Sequence, residues 1–351
     1  MRMHPTRFCL VLLLGAASLF AQKPASPAPA ASPAAKTVPI LLNIQVTDKK
    51  GHPISGLQQS DFTLLDDGKP APIQLFRELS GSDPGTVSIM LLIDNINADF
   101  SDTVYARGQI LKLLRGYGPR LPAPLSVSVL TWSSVRQLVP PSTDGIRLAQ
   151  EFEESQAHLR PVPEADQYGQ YDRWHYSTLA LEEIMNVQAH RPGRLLLVWI
   201  GPGWALFDSP DALMIKAQQT FWMRMIVGLS TGLRSGRITL DSVDPLGLQD
   251  GAYMLATHWQ SFLKPVRKPS DAWWADLSLQ VLATGSGGQV LYSSNDAAGE
   301  IAACVQDAAD FYAIRFDGQS SDQPNTWHDL DVKVDRPGVV VRTNKGYYAQ
   351  P

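Results

Sequence analysis

Apolar and polar positions change their spacing twice along this 351-residue chain. From Val38 to Leu79 they alternate in short runs. ILLNIQV ends at the turn-forming Thr47-Asp48-Lys49-Lys50-Gly51, and DFTLLDDGKPAPIQLF holds two short strands around Asp66-Asp67-Gly68, a hairpin signal. The alternation returns at Phe311–Phe316, Leu330–Val334 and, past Pro337-Gly338, Val339–Arg342, before Tyr347-Tyr348 closes the chain. Between these ends lie apolar runs of strand length: Val87–Ile93, Leu125–Thr131, Arg194–Ile200, Ile238–Val243 and Gln289–Leu291. Val135–Val139 reads as a further short strand in a hairpin with Leu125–Thr131. Helices are expected at Ser101–Arg115, Gly145–His158, Thr178–Ala189, Asp211–Leu233, Asp271–Thr284 and Ala297–Ala309. The first of them offers Val104, Ile110, Leu111 and Leu114 as its candidate buried stripe.

Strands without alternation, separated by helices, predict a doubly wound, mainly parallel α/β sheet with right-handed crossovers. The two β flanks, residues 38–80 and 310–351, are each too small to bury a core alone without disulfides or metal. Together they offer about seven strands, the number a small β-sandwich uses. The expected architecture is an α/β domain over 86–309 inserted in one sandwich. Its flanks would pair, burying Ile44 and Phe62 against Tyr312, Ile314 or Val332.

The run VSIMLLIDNINAD stops abruptly at Asp94, where strand hands over to helix. That edge of an open α/β sheet is where ligands bind. The pattern resembles the von Willebrand factor type A (vWA) domain, whose first strand ends in Asp-x-Ser-x-Ser, the core of a metal-ion-dependent adhesion site. Its sheet carries one antiparallel edge strand, which the expected hairpin fits. Here the motif reads Asp94-Asn95-Ile96-Asn97-Ala98: the Asp matches, and Ile96 and Ala98 bring no side-chain oxygen. The resemblance implies a Thr from a second loop and an Asp from a third. Thr178 matches the first by its order in the chain. After LLLVWI the chain reads Gly201-Pro202-Gly203, and Asp208 comes seven residues past Gly201. Asn97 and Asp99 could substitute by a change of register. The candidate binding residues are therefore Asp94, Asn97, Asp99 and Thr178. The same four are the candidates for a divalent cation such as magnesium, which needs oxygen ligands, at a site expected to be degenerate and to hold no cofactor. The alternative role for Asp94 is to cap the next turn or helix.

Four further segments carry the resemblance: VTDKKGHPISGLQQSDFTLLDDGKPAPIQLF, LLVWIGPGW, ITLDSVDPLGL and VKVDRPGVVVRTNKGYYA. As a set they look like the vWA-related family described from Acidobacteria. This likeness implies an exported protein with a vWA domain between β-rich flanks and no established reaction.

The first 21 residues read as a secretory signal: Arg2 and Arg7, an apolar Phe8–Phe20, and Ala21 before cleavage. Left uncleaved, the leader would be an anchor. Residues 22–37 form a Pro/Ala-rich linker. No other run is long enough to span a membrane. The expected location is periplasmic or extracellular, yet Cys304 would be the only cysteine outside the leader, so no intramolecular disulfide can form. Net charge is −4 and becomes −6 without the two leader arginines, with no basic cluster. That argues against nucleic acid; the vWA resemblance implies a protein or other macromolecular ligand.

No catalytic constellation emerges. Gly228-Leu229-Ser230-Thr231-Gly232 fits G-x-S-x-G, but a helical stretch precedes it and a strand follows, the reverse of a nucleophile elbow. Histidines 52, 158, 175, 190, 258 and 328 show no metal-ligand spacing, and Gly285-Ser286-Gly287-Gly288 has neither the preceding strand nor the Lys of a phosphate loop. Trp199, Trp204, Trp222, Trp259, Trp273 and Trp274 suit either a core or a contact surface. Asp244–Ser270 has weak periodicity and reads as a binding loop. The function expected is a non-enzymatic, exported protein-interaction or adhesion module. The alternative is a structural component of an envelope or extracellular assembly, binding through its β flanks.

Overall fold

The computed structural model describes residues 37–155, 167–204, 215–246, 258–292 and 296–351. The leader, the linker up to residue 36 and Asp208 lie outside the described residues. Thr37, assigned above to the linker, begins the first strand. The N-terminal half contains β1 (Thr37–Asp48), β2 (Phe62–Asp66), β3 (Lys69–Pro70), β4 (Ile73–Ser80), β5 (Val87–Asp94), α1 (Phe100–Tyr117), β6 (Leu125–Leu130), β7 (Val135–Ser142), α2 (Gly145–Glu154) and α3 (Gln167–Ala189). Then come β8 (Arg194–Ile200), α4 (Lys216–Ser235), β9 (Ile238–Val243), α5 (Leu279–Gly285), β10 (Val290–Leu291), α6 (Ala297–Gln306), β11 (Asp310–Gln319), β12 (Thr326–Val334), β13 (Val339–Arg342) and β14 (Gly346–Ala349).

Every residue of β6, β8 and β9 is buried, as expected of strands covered on both faces. They lie in a six-stranded sheet of order β10-β9-β8-β5-β6-β7. All pairings are parallel except β6–β7, the antiparallel edge. The chain winds from β5 to one side through β6 and β7, then crosses to the other side at β8. The carboxyl end of β5 is therefore the topological switch point, and Asp94 is its last residue. Side chains alternate between faces. Ile89, Leu91 and Ile93 pack with Ile110 of α1, Phe152 of α2 and Val305 of α6. Leu92 faces the other layer, with Leu181 of α3, Ile226 of α4 and Leu282 of α5.

The flanks pair with each other. β1 and β11 run antiparallel, with Leu42 opposite Ile314 and Ile44 opposite Tyr312, in a sheet of order β13-β1-β11-β4. A second sheet, β14-β12-β2-β3, faces it, so the sandwich has eight strands, three of them of four residues or fewer. The Phe62 ring packs, tilted, 5.1 Å from that of Tyr312, and Leu64, Phe316 and Val332 join the same core.

Arg194, at the start of β8, is wholly buried where α/β sheet and sandwich meet. Its Nε donates to Thr239 Oγ1 (3.1 Å), and its Nη1 donates to Gln45 Oε1 (3.4 Å) and Asp307 O (3.2 Å). Arg342 Nη2 donates to Asp307 Oδ1 at 2.7 Å, and its Nη1 lies 2.7 Å from Oδ2.

Four expectations are corrected. The buried face of α1 is Thr103, Ala106, Arg107, Ile110, Leu113 and Leu114, and Val104 is 49% exposed. Two polar residues sit on that face, Arg107 lying 4.4 Å over the Phe152 ring and donating to its carbonyl. Ile110 and Leu114 keep the places expected of them, and Thr103 and Arg107 extend the face where Val104 was expected. α3 begins near residue 167, well before Thr178, because its first turns carry polar and aromatic residues without a consistent apolar face. The 271–284 stretch is broken. 3₁₀ turns at Pro269–Asp271 and Trp274–Leu277 precede α5, and Asp276 Oδ2 accepts the Trp273 N–H (2.7 Å) at the second turn. Finally, the 244–270 segment supplies core: Trp259 and Val266 are buried, while 247–257 lie outside the described residues.

Candidate binding edge around Asp94

Asp94 is fully buried and its carboxylate is surrounded by N–H donors. Oδ1 accepts from Ile96 N (3.1 Å), Asn97 N (2.9 Å) and Asn97 Nδ2 (3.0 Å). Oδ2 accepts from Asn97 Nδ2 (2.8 Å) and from the indole Nε1 of Trp199 (2.8 Å). The two backbone bonds make an Asx-type turn that reverses the chain between β5 and α1. Burial pushes the Asp94 pKa up, and the bonds from Trp199, Asn97 and Ile96 pull it back.

Gly201, directly after β8, has φ +152° and donates its N–H to Val243 O (2.9 Å). A Cβ built there would lie 2.6 Å from the Asp94 Cβ. The backbone thus passes so close to Asp94 that no side chain fits where the third-loop carboxylate was sought.

Of the other residues singled out in the sequence, Asn97 joins this group and two do not. Asp99 is exposed at the N-cap of α1, where its side chain makes no capping bond. Thr178 is buried, with its hydroxyl donating back to Trp174 O (3.1 Å) and His175 O (2.9 Å) of its own helix. Its neighbour Ser177 reaches the site instead, accepting from Asn97 Nδ2 at 2.9 Å. Ser177 and Trp199 were missed. The first is one register step from Thr178, and the second is an apolar strand residue whose N–H gives no sequence signal.

Aromatic rings surround this end of the sheet. Trp132, just past β6, packs edge-on to Tyr176 at 5.4 Å. Tyr171 stacks on His175 (6.2 Å, 7°), and Trp174 packs edge-on to Trp222 of α4 (5.0 Å). Tyr171, Tyr176 and Phe221 are exposed.

A second polar group lies in the sandwich. His328 Nδ1 is 3.0 Å from Asp66 Oδ1 and 3.2 Å from Asp67 Oδ2, while Tyr347 OH donates to Asp66 Oδ2 (2.7 Å). Two carboxylates and an imidazole are a donor set that could hold a divalent cation. Elsewhere, Gly228–Gly232 lies inside α4, so Ser230 is on no strand-to-helix elbow. Cys304 is buried in α6, and burial pushes its thiol pKa up, away from the reactive thiolate. Among the described residues no helix is long and apolar enough to cross a membrane.

No family model matches the chain, and no curated protein matches it. Solved structures do. Manganese-loaded TRAP protein of Plasmodium vivax is 10% identical with a TM-score of 0.36, over 78% of this chain and 98% of that one. The VWA domain of SpRpn10 is 13% identical (TM-score 0.31; 61% and 95% covered). A von Willebrand factor type A protein from Catenulispora acidiphila is 11% identical (TM-score 0.32; 84% and 76% covered). The parallel sheet with one antiparallel edge, wound both ways from β5, is the doubly wound α/β architecture expected from the sequence, with the edge strand that the vWA resemblance implied.

Proposed function

We propose that this chain is an exported, non-enzymatic interaction module that recognises a protein or other macromolecule through the Asp94 edge without a bound metal ion. The observation that carries this reading is the ring of exposed aromatics, Tyr171, Tyr176 and Phe221, beside the switch point. Exposed aromatics in a cluster are the side chains that anchor protein interfaces. The residues around Asp94 do not fit the cation of an adhesion site. Its oxygens already accept from Ile96, Asn97 and Trp199, Gly201 has no room for a ligand, and the Thr178 hydroxyl is committed to its helix. N–H donors take the role a cation would have in neutralising the carboxylate. On this reading the site is a degenerate adhesion site whose loops are held by hydrogen bonds.

Binding through the β flanks is less favoured. The long edge strand β4 exposes Arg77 and Glu78, charges of the kind that blunt strand addition.

The test is affinity capture from envelope extract with and without a chelator. The same partner should be recovered in both, and Tyr171→Ser with Tyr176→Ser should lose it. Capture that depends on a divalent cation, or that survives the double substitution, overturns the reading.

A further inference from the structure

Away from the Asp94 edge, α4 and α5 meet the last strands of the sandwich around a cavity of about 340 Å³. That is within the range of small-molecule sites, roughly 300–1,000 Å³. Ile226, Leu282 and Val266 give it apolar walls, and Trp327 and Tyr348 line it with rings whose centroids are 4.8 Å apart. The Tyr348 hydroxyl is engaged, donating to Val266 O at 3.0 Å.

Asp276 lines the same cavity and is 6% exposed. Among the described residues its carboxyl accepts one hydrogen bond, from the Trp273 N–H, and no Lys, Arg or His forms an ion pair with it. A buried carboxylate normally has a cation beside it. The charged and titratable groups around Asp276 are Asp271 on its own segment, Lys264 and Arg267 on the preceding loop, Asp329 on β12, Lys345 before β14, and Tyr348. Arg267 is paired with Asp329. Burial, with repulsion from Asp271, pushes the Asp276 pKa up to about 7.

We propose that this cavity is a binding site for a small apolar amine, its ammonium paired with the Asp276 carboxylate and its apolar body held against Trp327, Tyr348 and Leu282. The ammonium would supply the counter-charge that the fold leaves out, and aromatic walls favour a cation over a neutral isostere. The proposal is independent of the interaction surface at Asp94.

The probe is 2-phenylethylamine, titrated calorimetrically into the full chain, with 2-phenylethanol and 3-phenylpropanoate as comparisons. At pH 8 the amine should bind at least about tenfold more tightly than the alcohol. Moving to pH 6 protonates Asp276 and should weaken the amine about tenfold, leaving the alcohol unchanged. Asp276→Asn should abolish the preference for the amine, and Ser230→Phe, which fills the cavity wall, should abolish binding of both. If Asp276→Asn does not fold, the pH comparison on the unsubstituted chain decides. Equal affinity for amine and alcohol overturns the proposal, as does the absence of any binding. Tighter binding of 3-phenylpropanoate also overturns it and shifts recognition to Lys264 and Lys345.

Discussion

Trp199 and Asp94 sit on adjacent parallel strands, and the indole N–H of one reaches along the sheet to the carboxylate of the other at 2.8 Å. An apolar strand residue thereby becomes part of the polar switch point. Trp199→Phe removes the donor and some volume from a fully buried place. We expect a loss of about 2–4 kcal/mol of unfolding free energy, read from denaturant melts. A variant as stable as the parent would mean that water or another donor replaces the indole.

Metal titration addresses the same carboxylate from the other side. Calorimetry with magnesium, calcium and manganese should show no tight binding at Asp94. Submicromolar binding abolished by Asp94→Ala would mean that Asn97 or Asp99 moves in as a ligand. Binding abolished by His328→Ala instead would assign it to the Asp66–Asp67–His328 group.

Stability should depend on pH through Asp241. It is wholly buried in β9, its Oδ1 accepts the Gln289 N–H at 2.7 Å, and its Oδ2 has no hydrogen-bond partner among the described residues. Burial first, then repulsion from Asp307, push its pKa up to about 7 from an ordinary 3.8. The folded state therefore binds this proton more tightly than the unfolded chain. Its contribution is most favourable below pH 3.8 and is lost as pH rises towards about 7. Asp276 acts with the same sign. Asp241→Asn should flatten the decline of Tm between pH 4 and pH 7, and an unchanged slope would remove Asp241 from the account.

Domain organisation is tested by truncation. β11 lies between β1 and β4, so a chain ending at residue 309 leaves both without their shared partner. Amide protection of 40–46 and 73–79 should disappear, while residues 86–309 stay folded. The latter should lose some stability, because Arg194 loses Gln45 and Asp307 loses Arg342. Persistent protection in the N-terminal flank would mean three separate units.

N-terminal sequencing of the native protein should begin near Gln22 if the leader is cleaved after Ala21. Intact Met1 in the cytoplasm would contradict export.

Much of the sheet was legible in the sequence because strands buried on both faces leave unbroken apolar runs. Arg194–Ile200 and Ile238–Val243 match to the residue. What escaped was set by tertiary partners. Arg107 is buried because Phe152 lies under its guanidinium, and no pattern within α1 announces that. Thr178 was named by chain order, which cannot fix which of two adjacent hydroxyls faces the loop and which bonds its own helix. Asp276 fell unremarked within the helix expected at Asp271–Thr284, since only the packing of α4, α5 and the last strands forms a cavity beside it.

The close pass of Gly201 over Asp94 also bears on what mutation can reach from here. Gly201→Asp would place an acid in the expected chain position, but its Cβ would collide with the Cβ of the residue it should assist. A cation-binding centre at this edge would require the β8 loop to back away, Trp199 to release its indole bond, and an oxygen-bearing residue to replace Ile96 or Ala98. A single substitution at this edge therefore does not assemble the ligand set.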